Sequence, residues 1–201
     1  MKLIKKTVVL LLAAALLFAF CACDKGGNDT PTDKTEAPAE ATDAPSDNFA
    51  DKLVIDINGA KVKVGSTEKE FLAALDGVGI EYTINQAVSC MFSGFDDTIT
   101  FDGGSAFTFP LTEGGENTVD EISIDAVGPT VSGIGVESTL EDIVAAFGDG
   151  YFMDGEGTYV YNASGYAAQK DQSGVTKIYF YLEDNAVVYF GVCANLYHTA
   201  G

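Results

Sequence analysis

The chain of 201 residues is acidic, with 30 Asp and Glu against 11 Lys, no Arg and a formal net charge of −19. Such a surface repels nucleic acid and anionic lipid headgroups, which excludes a nucleic-acid-binding role. The single histidine, His198, stands near the C-terminus, so neither a His-based metal centre nor a Ser-His-Asp or Cys-His catalytic system has support in the composition.

At the start of the chain Lys2, Lys5 and Lys6 precede an uncharged run from Val8 to Phe20, the layout of a signal peptide and too short for a bilayer-spanning helix. The residues that follow are Phe20, Cys21, Ala22 and Cys23, with a large apolar residue at minus three and a small one at minus one relative to Cys23. This pattern resembles the lipobox of bacterial lipoproteins. The resemblance implies that residues 1–22 are a signal peptide, that Cys23 is acylated and becomes the first residue, and that the protein is anchored by lipid to the cell membrane, facing outside the cytoplasm. Cys21 then leaves with the signal. A metal or redox role for the two cysteines would need further ligands nearby, and none is present.

Residues 23–48 are rich in Asp, Glu, Thr, Ala and Pro and lack any large apolar side chain, so they read as the lipidated cysteine and a disordered acidic tether. Without Lys2, Lys5 and Lys6, and with all 30 acidic residues retained, the mature chain carries eight lysines and a net charge of −22.

Residues 49–201 have the size and the apolar content of one domain. Within it "VKVGSTEKEFLAALDG" at 62–77 and "IGVESTLEDIVAAFGD" at 134–149 superimpose without a gap, aligning Val64 with Val136, Ser66 with Ser138 and Thr67 with Thr139. In each copy a Thr is followed three residues on by an acidic side chain, Glu70 or Asp142, the spacing of a capping box at a helix start. Gly77 and Gly148 are the expected helix stops. Phe71, Leu72 and Leu75, matched by Ile143, Val144 and Phe147, form one apolar face.

Alternating runs downstream predict strands at 98–101, 106–111 and 121–126, and again at 157–163, 176–182 and 186–193, the last two joined by a hairpin through Glu183, Asp184 and Asn185. The fold class expected is α+β: two tandem halves, about 49–126 and 127–201, each a short lead-in strand, a helix and an antiparallel meander, packed as one domain. The Thr-capped helix followed by antiparallel strands resembles the repeat of β-lactamase-inhibitor-protein-like domains and of the small outer-membrane assembly lipoprotein called BamE or SmpA. The resemblance implies a binding module without catalytic residues. It carries over no individual functional residue.

Strand parity sorts the side chains. In the second half Val160, Ile178, Phe180, Leu182, Val188, Phe190 and Val192 are expected to face the helix, and Tyr159, Tyr161, Tyr179, Tyr181 and Tyr189 to face outward. In the first half Ile99, Phe101, Phe107, Phe109, Ile122 and Ile124 are expected inward, and Thr98, Thr100, Thr108, Glu121 and Ser123 outward. Five outward tyrosines would offer rigid contact area with polar tips, the chemistry that protein interfaces favour.

The function expected is a lipid-anchored extracytoplasmic binding module for an unidentified envelope or extracellular protein. The alternatives are a small-ligand or glycan binder and, third, a carboxylate-based hydrolase using pairs such as Asp96 with Asp97 or Asp120 with Glu121. No cofactor, metal or catalytic residue is assigned. Asp149, Asp154 and Glu156 do not match the twelve-residue calcium loop. Cys90 and Cys193, the two cysteines after the anchor, are expected as buried free thiols, with a disulfide between them as the alternative.

Overall fold

The computed structural model describes residues 49–155, 157–162 and 175–196. The signal peptide, Cys23, the tether, Glu156 and His198 lie outside the described residues. Among the described residues no helix is long and apolar enough to cross a membrane.

Among the described residues the fold is α+β and mostly strand, with two antiparallel sheets and two helices of more than one turn. After a four-residue helix α1 (Phe49–Lys52) come β1 (Ile55–Ile57) and β2 (Ala60–Val62), joined at Asn58 and Gly59, both with positive φ. Only a mirror-image turn matches the strand twist in so short a hairpin, and Asn-Gly is the pair best able to adopt it. Helix α2 (Glu68–Val78) follows, then β3 (Tyr82–Val88), β4 (Phe95–Phe101), β5 (Gly104–Pro110) and β6 (Asn117–Ile124). A second hairpin, β7 (Thr130–Val131) and β8 (Ile134–Gly135), turns at Ser132 and Gly133, again at positive φ. It leads into helix α3 (Leu140–Phe147), β9 (Phe152–Met153), β10 (Thr158–Asn162), β11 (Lys177–Glu183) and β12 (Ala186–Cys193). The lead-in strands are therefore hairpins, and together they form the smaller sheet, ordered β2-β1-β7-β8.

The larger sheet has eight strands in the order β3-β4-β5-β6-β12-β11-β10-β9. Its centre is the antiparallel pairing of β6 with β12, where Ile122 meets Val192 and Ile124 meets Phe190. One core lies between this sheet and the layer made by the helices and the smaller sheet. It includes Ile55, Ile57 and Val131 from the hairpins, Phe71 and Leu75 from α2, Ile143 from α3, and Ile99, Ile122, Ile124, Ile178, Phe180 and Phe190 from the large sheet.

Both capping boxes are present. Thr67 Oγ1 accepts from the Glu70 N–H at 3.2 Å while Glu70 accepts from the Thr67 N–H at 3.0 Å. Thr139 and Asp142 repeat the exchange at 3.3 and 2.9 Å. The Thr139 N–H, and after it the Thr139 hydroxyl, donate to the Asp142 carboxyl and hold it below its ordinary range. Helix α3 stops at Gly148 as expected, whereas α2 runs through Gly77 and is capped by left-handed Gly79. Nothing forces a stop at Gly77, because α2 can take it up with an ordinary helical backbone and still complete its last turn.

Candidate functional site

The register of β10 against β11 corrects the expected faces. Tyr159 pairs with Phe180 and Tyr161 with Ile178, so both tyrosines share the inner, helix-side face, and Val160 is turned to the other side opposite Tyr179. Tyr161 is only 4 % exposed and packs against Phe147 at 5.4 Å between ring centroids. Its hydroxyl donates to the Gly148 carbonyl at 2.8 Å, closing the end of α3. Burial, and then the charges of Tyr151 and Asp149, push that hydroxyl far above the ordinary tyrosine range. Alternation could not show this. Tyr159, Val160 and Tyr161 are all apolar enough to be buried, so neither phase of the strand looks polar.

Two bulges correct further positions. Between Tyr181 and Leu182 the pairing with β12 shifts, so Leu182 meets Val187 and the buried inward residue is Val187 in place of Val188. On β5, Phe107 pairs with Glu121 but Thr108 pairs with Val119, leaving Asp120 as the extra residue. The phase of β5 itself is set by its unbroken register with β4, where Ala106 meets Ile99 and Thr108 meets Asp97, so Ala106 and Thr108 take the inward positions expected of Phe107 and Phe109. Phe109 is fully buried yet lies outside the main core, 5.9 Å from the Phe107 ring on the opposite side of the sheet.

Three of the five expected tyrosines do gather on the outer face. Tyr181 and Tyr189 are cross-strand partners with stacked rings 5.1 Å apart, and Tyr189 is 38 % exposed. Tyr179 stands edge-on to Tyr189 at 6.2 Å and reaches across β12, so that its hydroxyl donates to Glu121 Oε1 at 2.5 Å and lies 3.1 Å from Ser123 Oγ. The ring can cross only because position 191 is glycine: a Cβ there would collide with the Tyr179 Oη and Cζ. Burial first, and then the Glu121 charge, drive the Tyr179 hydroxyl far above its ordinary range. Beside this group lies a shallow cavity of about 240 Å³ lined by Thr98, Ser105, Ala106, Phe107, Glu121 and Ser123. The expectation that Thr98, Glu121 and Ser123 face outward is met there.

A second polar group was not legible beforehand, because its members lie far apart in the chain. Glu68 of α2 and Asp97 of β4 converge on one amide: Asn117 Nδ2 lies 3.3 Å from Glu68 Oε2 and 3.2 Å from Asp97 Oδ2. Thr108 Oγ1 donates to Glu68 at 2.5 Å, and Gln86 Nε2 donates to Asp97 at 3.3 Å. Asp97 is 4 % exposed, and its Oδ1 is buried without a hydrogen-bond partner. Burial first, then the neighbouring Glu68 and Asp96 charges, raise its carboxyl above the ordinary range, although the Gln86 bond opposes them. Asp96 and Asp97 thus part company, since successive strand residues point to opposite faces.

Asp120, a second buried acidic residue, on the central strand β6, accepts from the Leu196 N–H at 2.7 Å. Among the described residues no group of three or more His, Cys, Asp or Glu is placed to hold a metal ion. Cys90 and Cys193 are free thiols, but only Cys193 is buried, and Cys90 is exposed in the loop after β3. Burial, then the charge of Asp120, push the Cys193 thiol up to about 12.

No family model, curated protein or solved structure matches this chain.

Proposed function

We propose that the protein is a lipid-anchored, extracytoplasmic binding module that holds an envelope or extracellular protein on the outer face of its large sheet, acting by binding rather than by chemistry. The observation that carries this reading is the Tyr179, Tyr181 and Tyr189 group: two stacked rings at the surface, with a third locked behind them by Glu121 and Ser123. Preorganised aromatic area costs little side-chain entropy on association, which is why tyrosine serves so well at interfaces. The anchor in this proposal is acylated Cys23, and the acidic tether of residues 23–48 carries the domain clear of the headgroups.

The same proposal takes the domain as two tandem halves. Its support is a matched pair of backbone exchanges: the Gly65 N–H donates to the Val119 carbonyl at 2.7 Å and the Val119 N–H to Ser66 at 2.9 Å, while Glu137, Ser138 and Val187 repeat the pattern at 2.8 and 2.8 Å. Gly65 and Glu137 both take positive φ at this point. A kinship in architecture with the inhibitor-like and BamE-like domains rests on the same helix-plus-meander pattern.

The test is a pull-down from membrane extract with the wild-type protein and with Tyr181→Ser combined with Tyr189→Ser. Capture of a discrete partner should fall sharply in the variant while its melting temperature stays near the wild-type value. By contrast, Phe180→Ala in the core should cost about 3–5 kcal/mol of stability. Unchanged capture in a folded double variant would remove the tyrosine face from the proposal.

A further inference from the structure

The two edges of the large sheet differ. One ends in β9, two residues long, and the other in β3, seven residues long and paired to β4 in unbroken register. Exposed edges are ordinarily blunted by charge, proline, a bulge or shortness, because their free N–H and C=O groups template further pairing. Strand β3, "YTINQAV", has none of these protections, and every residue in it after Tyr82 is exposed. Ile84 is 39 % exposed and Val88 77 %, both on the inner face that α2 leaves uncovered at this end of the sheet. A strand of this length presents about 23 Å of open edge.

Beside the start of β3 lies a cavity of about 420 Å³ whose lining includes Glu68, Lys69, Asp76, Tyr82, Glu116 and Asn117. Three carboxylates face one ammonium there, and the Tyr82 hydroxyl is raised by burial and then by the charges of Asp76 and Glu68. Behind it the Asp97 carboxylate is buried with Oδ1 unpartnered. Among the described residues no lysine lies within salt-bridge distance of any of these carboxylates, the ion pair present being Lys61 with Asp56.

We propose that β3 is a docking edge for an extended, cationic peptide segment of a partner protein, which adds as a further strand and sets a Lys or Arg side chain over Glu68, Asp76 and Glu116. Backbone pairing supplies the affinity and the acidic cavity the choice of side chain, as in other strand-addition complexes. An inner-face side chain opposite Tyr82 stands within about 5 Å of it across the strand spacing, so a basic residue at that place reaches the cavity. Charge also decides against a second copy of this chain, which would bring the same acidic rim and no arginine to the contact. This surface is separate from the tyrosine face, and its test is independent of that reading.

The test uses the purified full chain and a synthetic, end-blocked peptide in which lysine alternates with valine and threonine, with a glutamate-for-lysine counterpart as control. Calorimetric titration should show binding of the lysine peptide alone, weakening about tenfold or more between about 0.05 and about 0.5 M salt as the charges are screened. Amide hydrogen exchange should slow at Thr83–Val88 when that peptide is present. Asp76→Asn combined with Glu116→Gln, both at exposed positions, should weaken binding about tenfold with no loss of melting temperature. Equal binding of the two peptides, binding that leaves exchange in β3 unchanged, or protection of β3 that rises with protein concentration and needs no peptide would each overturn the proposal.

Discussion

Asp97 shows how one buried side chain carries a pH dependence. Its carboxyl is raised in the fold, so the folded state favours its protonated form. The stabilisation that protonation brings is complete below the ordinary carboxyl range and is lost as pH rises through the raised value. Asp97→Asn keeps the shape, supplies donors toward Glu68 and cannot ionise. It should raise the melting temperature at neutral pH, by about 2–4 °C per kcal/mol in a chain of this size, and the gain should shrink toward pH about 4. Melting curves at the two pH values check this, and an equal loss at both would show that the carboxylate is needed as an acceptor. Gly191 sets the opposite kind of constraint, since its missing side chain is the space Tyr179 occupies. Gly191→Ala should cost about 1–3 kcal/mol by overpacking. Ultraviolet titration should then show one tyrosine hydroxyl returning toward its ordinary range, because the ring can no longer lie against Glu121.

The helices and strands were readable to different degrees, for physical reasons. Capping boxes are local, and both threonines act as their spacing predicts. Thr67→Ala should destabilise by about 1 kcal/mol, measurable by denaturant unfolding, and Thr139→Ala by a similar amount. Strand β3 has no counterpart among the predicted elements, since a strand exposed on both faces has no burial to impose alternation on its residues. In β10 both faces are buried, so Tyr159 and Tyr161 could be placed only by their partners across the ladder. The bulges at Asp120 and at Val188 shift the phase within a strand, a change that composition does not record.

For the molecule as a whole, the pairing of β6 with β12 makes one continuous sheet out of strands more than sixty residues apart. That junction brings Tyr179 within reach of Glu121 and so builds the centre of the candidate face from both ends of the domain. Display of this face outside the cell follows from the anchor proposed at Cys23. Cys23→Ser should release the protein from the membrane fraction or leave an uncleaved precursor, read by fractionation and acyl labelling. Labelling that survives in Cys23→Ser and is lost in Cys21→Ser would assign the anchor to the other cysteine.

The sequence by itself determined the acidic balance, the signal-like start, the α+β class, the two capped helices and most of the core positions, because each depends on composition or on neighbours a few residues away. Tertiary structure alone decided which tyrosines reach the surface, how Glu68 meets Asp97, and that β3 stands as an open edge. Those outcomes depend on register between distant strands, and a shift of one residue there exchanges the two faces of a sheet while leaving the local pattern untouched.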